Sequence, residues 1–210
     1  MGTAPTYGEY MLSIDQPGAI SILLVTLGTS LLGLYRLPWI IERSLFRPYW
    51  YLRRKQYDTI YLSGFVHADM SHLLFNMFTF YFFAFPLERF IGTVRFLVLY
   101  AAGLIVSHAC TYFKQRDNVN YASLGASGAI SAVLFAYIVY FPAAKLLIFP
   151  IPVPIPAALF AVGYVGYSYW ASNHERGRIN HDAHLCGALS GIGFVAVTNP
   201  AAFGALRHLF

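Results

Sequence analysis

A serine flanked by small residues, Gly125-Ala126-Ser127-Gly128-Ala129, stands where an apolar segment of near-membrane length begins. A second polar signal, Asp182-Ala183-His184-Leu185-Cys186-Gly187, opens the last apolar segment. A serine and a histidine within hydrogen-bond reach make a nucleophile and its general base, the pair needed for acyl transfer. Hydrocarbon offers no water to such groups, so polar residues inside spanning segments fall under functional suspicion. Read singly, each has an ordinary explanation. A membrane-helix serine commonly bonds back to the preceding turn, and a lone buried histidine is commonly structural.

The spacing around the pair makes the ordinary explanation less sufficient. His184, Gly187 and Gly191 fall at i, i+3 and i+7, one stripe of a helix. Gly128, Ala132 and Ala136 form a comparable small stripe after Ser127. Small-xxx-small faces allow close helix approach, so packing these two stripes brings His184 toward Ser127. Small neighbours also let a substrate backbone reach Ser127, and the free N–H groups of a helix start point at the reacting centre. The GxSxG elbow of soluble hydrolases is not matched, because position 129 is Ala. Asp182, two residues from His184, cannot share its helix face, so a dyad is the simpler proposal.

A third cluster is His67-x4-His72-x3-Asn76. His72 and Asn76 are four apart and share a helix face. Two donors at one depth can hold the oxyanion of a tetrahedral intermediate; the alternative is an interhelical hydrogen-bond pair that only joins helices. His67 lies at the loop–helix junction, where its expected role is to fix the long preceding loop.

The elements that must position these groups follow from composition. The 210 residues suggest one domain spanning 1–210. The chain is 58% hydrophobic and 11% charged, against roughly 25% charged in soluble domains, which points to a membrane. The net charge of +5 reads as loop and headgroup chemistry, since no Arg-rich groove or aromatic RNA motif is present. Six apolar windows qualify as spans: Ala19–Tyr35, Met70–Ile91, Val94–Phe113, Leu124–Phe141, Pro156–Ala171 and Ala183–Val197. Between the first two, residues 36–68 mix aromatic and basic side chains, as an interfacial segment does. The alternating prolines of 150–156 cannot continue a helix and predict a turn between the fourth and fifth windows. The first 17 residues hold no Lys or Arg, so no signal-peptide n-region is expected and the first apolar segment is expected to stay. Cys110 and Cys186 have no CxxC or zinc spacing and are expected to be unpaired, small apolar fillers.

Taken together, these motifs resemble the rhomboid intramembrane serine proteases. The match runs from Phe65 to Gly191. It comprises the His67/His72/Asn76 spacing, Leu87-Glu88-Arg89 before Gly92, Gly125-Ala126-Ser127-Gly128, and Ala183-His184 with Gly187 and Gly191. The resemblance implies an all-α membrane protein: a six-transmembrane-helix bundle with a long, partly membrane-embedded first loop. It implies an enzyme, a serine-type endopeptidase cleaving transmembrane protein substrates, with Ser127 as nucleophile and His184 as general base and then acid. His72, Asn76 and the Ser127 backbone N–H would stabilise the oxyanion; His67, Gly125, Gly128, Gly187 and Gly191 would be structural near the site. Glu88 and Arg89 would belong to a structural network at the opposite face. No cofactor and no metal is implied.

Two departures stand out. The family's Trp-Arg signature would fall near Asp58-Thr59, where it is absent. Four residues after the serine, where many members carry a Tyr stacked on the histidine, this chain has Ser131. Two other readings remain. One is a pseudoprotease that binds membrane clients, which retention of both Ser127 and His184 disfavours. The other is a metal-dependent protein using His67, His72, His181, Asp182 and His184, which lacks an HExxH-type spacing. The partners expected are transmembrane substrates and the lipid bilayer, not nucleic acid. A compact chain suits a bacterial inner (plasma) membrane. Sidedness is in conflict: ten of the 14 Lys and Arg fall on the first, third and fifth loops, which the positive-inside rule puts in the cytoplasm. The resemblance puts that side, with the site, outside.

Overall fold

In the computed structural model, residues 15–148, 151–174 and 180–208 are described. Pro150, Arg176, Arg178 and the basic-poor stretch 1–14 lie outside them.

Six helices follow the six apolar windows closely. They are α1 (Pro17–Tyr35), α5 (Met70–Ile91), α6 (Thr93–Gln115), α7 (Ser127–Tyr140), α8 (Ala157–His174) and α9 (His181–Thr198). Of these, α1, α5 and α6 are long and apolar enough to cross a membrane, and α7 is a shorter apolar helix. The chain is therefore a helical membrane protein with three clear candidate spans.

The connection between α1 and α5 is not irregular. It folds into three short helices, α2 (Trp39–Ser44), α3 (Pro48–Arg53) and α4 (Thr59–Ser63). Phe46, between α2 and α3, exchanges both backbone hydrogen bonds with Ser123 at 3.0 Å, which ties the first loop to the third. Ser63 at the end of α4 bonds His108 of α6 at 2.7 Å.

The proline run behaves as expected in breaking the helix, but it builds a strand rather than a simple turn. Strands β1 (Lys145–Ile148) and β2 (Ile151–Pro156) pair antiparallel, with Lys145 opposite Pro156 and Leu146 opposite Ile155. The fold is thus not purely helical: this hairpin precedes α8. After α9 a 3₁₀ turn covers Pro200–His208.

Caps explain several boundaries. Asp69 accepts from the His72 N–H at 2.8 Å and starts α5. Gly92, at φ +82, ends it in the left-handed region. At the head of α1, Gln16 makes no side-chain cap. The buried Glu88 carboxylate substitutes, accepting from the Gly18 N–H at 2.9 Å and the Ala19 N–H at 2.6 Å. A carboxylate at a helix N-terminus meets both free donors and the positive end of the dipole, which anchors α1 to α5.

At the centre lies α7, buried at every residue from Gly128 to Val139 and packed against α5, α6, α8 and α9. Its 14 residues rise only about 21 Å, short of the ~30 Å hydrocarbon thickness. Its first residue, Ser127, is half-buried.

Candidate active site

Ser127 is the first residue of α7. The turn that delivers it uses Gly125 at φ +115, a conformation that L side chains rarely adopt. Space gives a second reason for glycine: a Cβ there would lie 2.5 Å from His72 Cε1. The His72 ring therefore packs directly on the chain two residues before Ser127. The Gly125 N–H donates to the Ser63 carbonyl at 2.8 Å, so the first loop also holds this turn.

The two small stripes meet. A Cβ on Gly187 would overlap the Gly128 carbonyl, and one on Gly191 would overlap the Ala132 carbonyl. Helices α7 and α9 are in backbone contact along this seam. A Cβ on Gly128 would overlap Ser107 of α6 and lie 3.3 Å from the Ala183 carbonyl. The residue after Ser127 therefore faces the residue before His184. His184 is half-buried, with the His181 ring edge-on at 6.2 Å and His72 within electrostatic range. No hydrogen bond joins Ser127 to His184 among the described residues. Nucleophile–base bonds are often loose without substrate and tighten in the complex.

Asp182 does not serve His184. It pairs with Lys114 of α6 at 2.8 Å, and Lys114 also donates to the Ser172 carbonyl of α8. Asn180 caps α9, accepting from the Ala183 N–H at 3.1 Å and donating to Thr111 Oγ1 at 2.8 Å. Ser131, where the resemblance would put a tyrosine, is bonded at 3.0 Å to Tyr164 Oη of α8.

On the other flank, Asn76 is buried and its amide nitrogen lies 2.9 Å from His67 Nε2. His67 Nδ1 is 3.2 Å from Ser30 Oγ of α1, and the His67 N–H donates to that same oxygen at 3.1 Å. The rings of His67 and His72 meet edge-to-face at 4.9 Å. His67 is fully buried, and burial pushes its pKa down to about 3, with the neighbouring His72 adding to the effect and Asp69 opposing it. It joins Ser30 of α1 to Asn76 of α5.

Behind Ser127 is a small polar cavity of about 20 Å³ bounded by Ser107, Thr111, Ser123 and Asn180. That is room for one water with several polar partners. Among the described residues, no group of three or more His, Cys, Asp or Glu has the geometry to hold a metal.

One expectation is overturned. Cys110 and Cys186 form a disulfide between α6 and α9, with Cα atoms 6.5 Å apart. The close α6–α9 packing brings together two residues that lie 76 apart in sequence. Sequence reading also passed over Ser30, Ser63, His108 and the two caps. Only the caps had a local signal: Asp69 and Asn180 each stand just before a helical run.

The family model described as Rhomboid domain matches residues 54–200. Presenilin-associated rhomboid-like protein A, mitochondrial, of Danio rerio is 33% identical over 145 residues, covering 64% of this chain and 36% of that protein. Rhomboid protein 1, mitochondrial, of Saccharomyces cerevisiae is 30% identical over 176 residues, covering 80% of this chain and 50% of that protein. The Bacillus subtilis protein named "Putative rhomboid protease YdcA" is 40% identical over 73 residues, 35% of this chain and 36% of that protein. The chain thus spans half or less of the length of these relatives.

Proposed function

Because the chain belongs to the rhomboid family, we propose that it is an intramembrane serine endopeptidase that cuts transmembrane protein substrates with Ser127 and His184. The observation that carries this reading is the backbone seam of Gly128 on Gly187, which aligns the start of α7 with the start of α9. The proposal takes α1 and α5 to α9 as six spans.

In this scheme His184 takes the Ser127 proton as Oγ adds to the scissile carbonyl carbon. The carbonyl oxygen becomes an oxyanion, held by the Ser127 N–H, His72 and the Asn76 amide, which His67 orients. Collapse breaks the C–N bond, and the imidazolium of His184 gives its proton to the leaving amine. A water, for which the cavity behind Ser127 has room, then loses a proton to His184 and adds to the acyl ester. The second collapse returns that proton to Ser127 and releases the acid. No step calls for a metal or organic cofactor.

The absence of a Ser127–His184 hydrogen bond is what favours the other reading, a pseudoprotease that binds membrane clients. Purified chain incubated with a generic transmembrane substrate separates the two. Cleavage lost in Ser127→Ala and in His184→Ala, and unaffected by chelators, supports the protease; binding without cleavage by the wild type supports the pseudoprotease.

The site end of α7 is assigned to the non-cytoplasmic face, against the charge count. Asn118 is exposed in the loop before α7, so a cysteine there reports the side by labelling with a membrane-impermeant thiol reagent. The expected bacterial plasma membrane draws no support from the Danio and Saccharomyces relatives, whose names are mitochondrial. Residence in a bilayer is the part of that expectation that stands.

A further inference from the structure

One cleft among the described residues is remote from Ser127 in sequence and plays no part in the proposed catalysis. It has a volume of about 690 Å³ and is formed by the first loop. Four cations line it, Arg43, Arg47, Arg54 and Lys55, against two carboxylates, Glu42 and Asp58. The carboxylates are engaged at the rim: Arg43 pairs with Asp58 and Arg47 with Glu42. Arg54 lies with its guanidinium 3.9 Å above the Trp50 ring, and among the described residues neither it nor Lys55 has an acidic partner. The cleft therefore keeps two uncompensated positive charges.

The backbone singles out Lys55. It is the one non-glycine residue with positive φ, +53, among the described residues. It occupies the left-handed position that closes α3. The Gln56 N–H returns to the Tyr51 carbonyl at 2.9 Å and the Lys55 N–H to the Leu52 carbonyl at 3.3 Å. Glycine is the usual residue at that position of this motif, and a Cβ there is strained. Lys55, held in this strained conformation, lines the cleft.

Trp39 on the wall is 63% exposed and Leu52, Tyr57 and Tyr61 nearby are 50% exposed or more, the pattern of residues at headgroup depth.

We propose that this cleft binds the headgroup of an anionic phospholipid, the phosphodiester held by Arg54 and Lys55. Guanidinium and ammonium groups are suited to phosphate oxygens. The two unpaired cations select the net negative charge of a phosphatidylglycerol-type headgroup over zwitterionic phosphatidylcholine, whose quaternary ammonium they repel. The exposed aromatic rim, at the depth of the acyl–headgroup boundary, selects a lipid over a soluble phosphate. This site does not depend on the proteolytic reading.

The test is native mass spectrometry of the full chain in detergent, titrated separately with phosphatidylglycerol and phosphatidylcholine, with glycerol 1-phosphate as soluble competitor. Phosphatidylglycerol is expected to bind in preference. Arg54→Gln with Lys55→Gly is expected to weaken it about thirtyfold, at the scale of two surface cations, while phosphatidylcholine binding stays unchanged. Lys145→Gln, one charge removed on the hairpin, should have no such effect. Lys55→Gly alone should weaken phosphatidylglycerol binding while leaving Tm equal or higher, since it relieves the left-handed strain; this single variant decides if the double one does not fold. Equal binding of the two lipids, unchanged binding in Lys55→Gly, or an equal loss in Lys145→Gln would overturn the site. Displacement of the lipid by glycerol 1-phosphate would overturn the lipid as its ligand.

Discussion

Gly187 of α9 rests on the carbonyl of Gly128 of α7 with no room for a Cβ between them. This contact sets how far His184 stands from Ser127. Gly187→Val and Gly191→Val should therefore push α9 off α7 and inactivate the proposed enzyme. Misplacement of about 1 Å costs roughly 10²-fold in rate. Leu185→Val, off that stripe, should be mild. Comparable rates for all three variants in a substrate-cleavage assay would show that the seam does not set the pair.

Asn76→Ala should act on rate and not on substrate affinity. Removing one oxyanion donor lowers turnover about 10²–10³-fold, so kcat should fall with KM nearly unchanged. A change in KM alone would make Asn76 a packing or binding residue.

His67 gives the fold a pH dependence of defined sign. Its pKa falls from the ordinary 6.5 to about 3 on folding, so the unfolded chain binds the extra proton between those values. Its contribution is complete above about pH 6.5 and is lost as the pH falls toward 3, at roughly 1.4 kcal/mol per pH unit. Thermal unfolding between pH 7 and 4 (about the window of that linkage) should be steeper in wild type than in His67→Gln. Parallel curves would show that His67 is not held neutral by the fold.

The Cys110–Cys186 bridge closes a loop of 76 residues, and chain-entropy arguments put the stabilisation from such a loop at up to about 4.5 kcal/mol. A maleimide should fail to label the denatured chain until it is reduced, and reduction should lower Tm. Labelling of both cysteines without reduction would remove the bridge from the account.

How far the fold was readable depends on the range of the interaction. Met70–Ile91 was bounded correctly because its signal, a contiguous run of apolar composition, is local. The α7–α9 seam was readable because two stripes of small residues fit each other at helical spacing. The pairing of Cys110 with Cys186, the Ser30–His67 contact and the Ser63–His108 bond each join residues tens of positions apart. Such contacts follow from helix packing, not from spacing. The first loop hid three helices of six residues or fewer, too short to show a period. The hairpin was missed because alternating prolines argue only against a helix, and edge strands tolerate them.

The structure holds a rival to the proposed pair, since Ser63 is the serine bonded directly to a histidine of α6. The measurement that separates them is mass-spectrometric mapping of the adduct left by a serine-directed fluorophosphonate on the intact, membrane-reconstituted chain. The account predicts one adduct, on Ser127, absent from Ser127→Ala and lost in a folded His184→Ala variant, with Ser63 unmodified. An adduct on Ser63, or labelling of Ser127 that persists undiminished without His184, would contradict it.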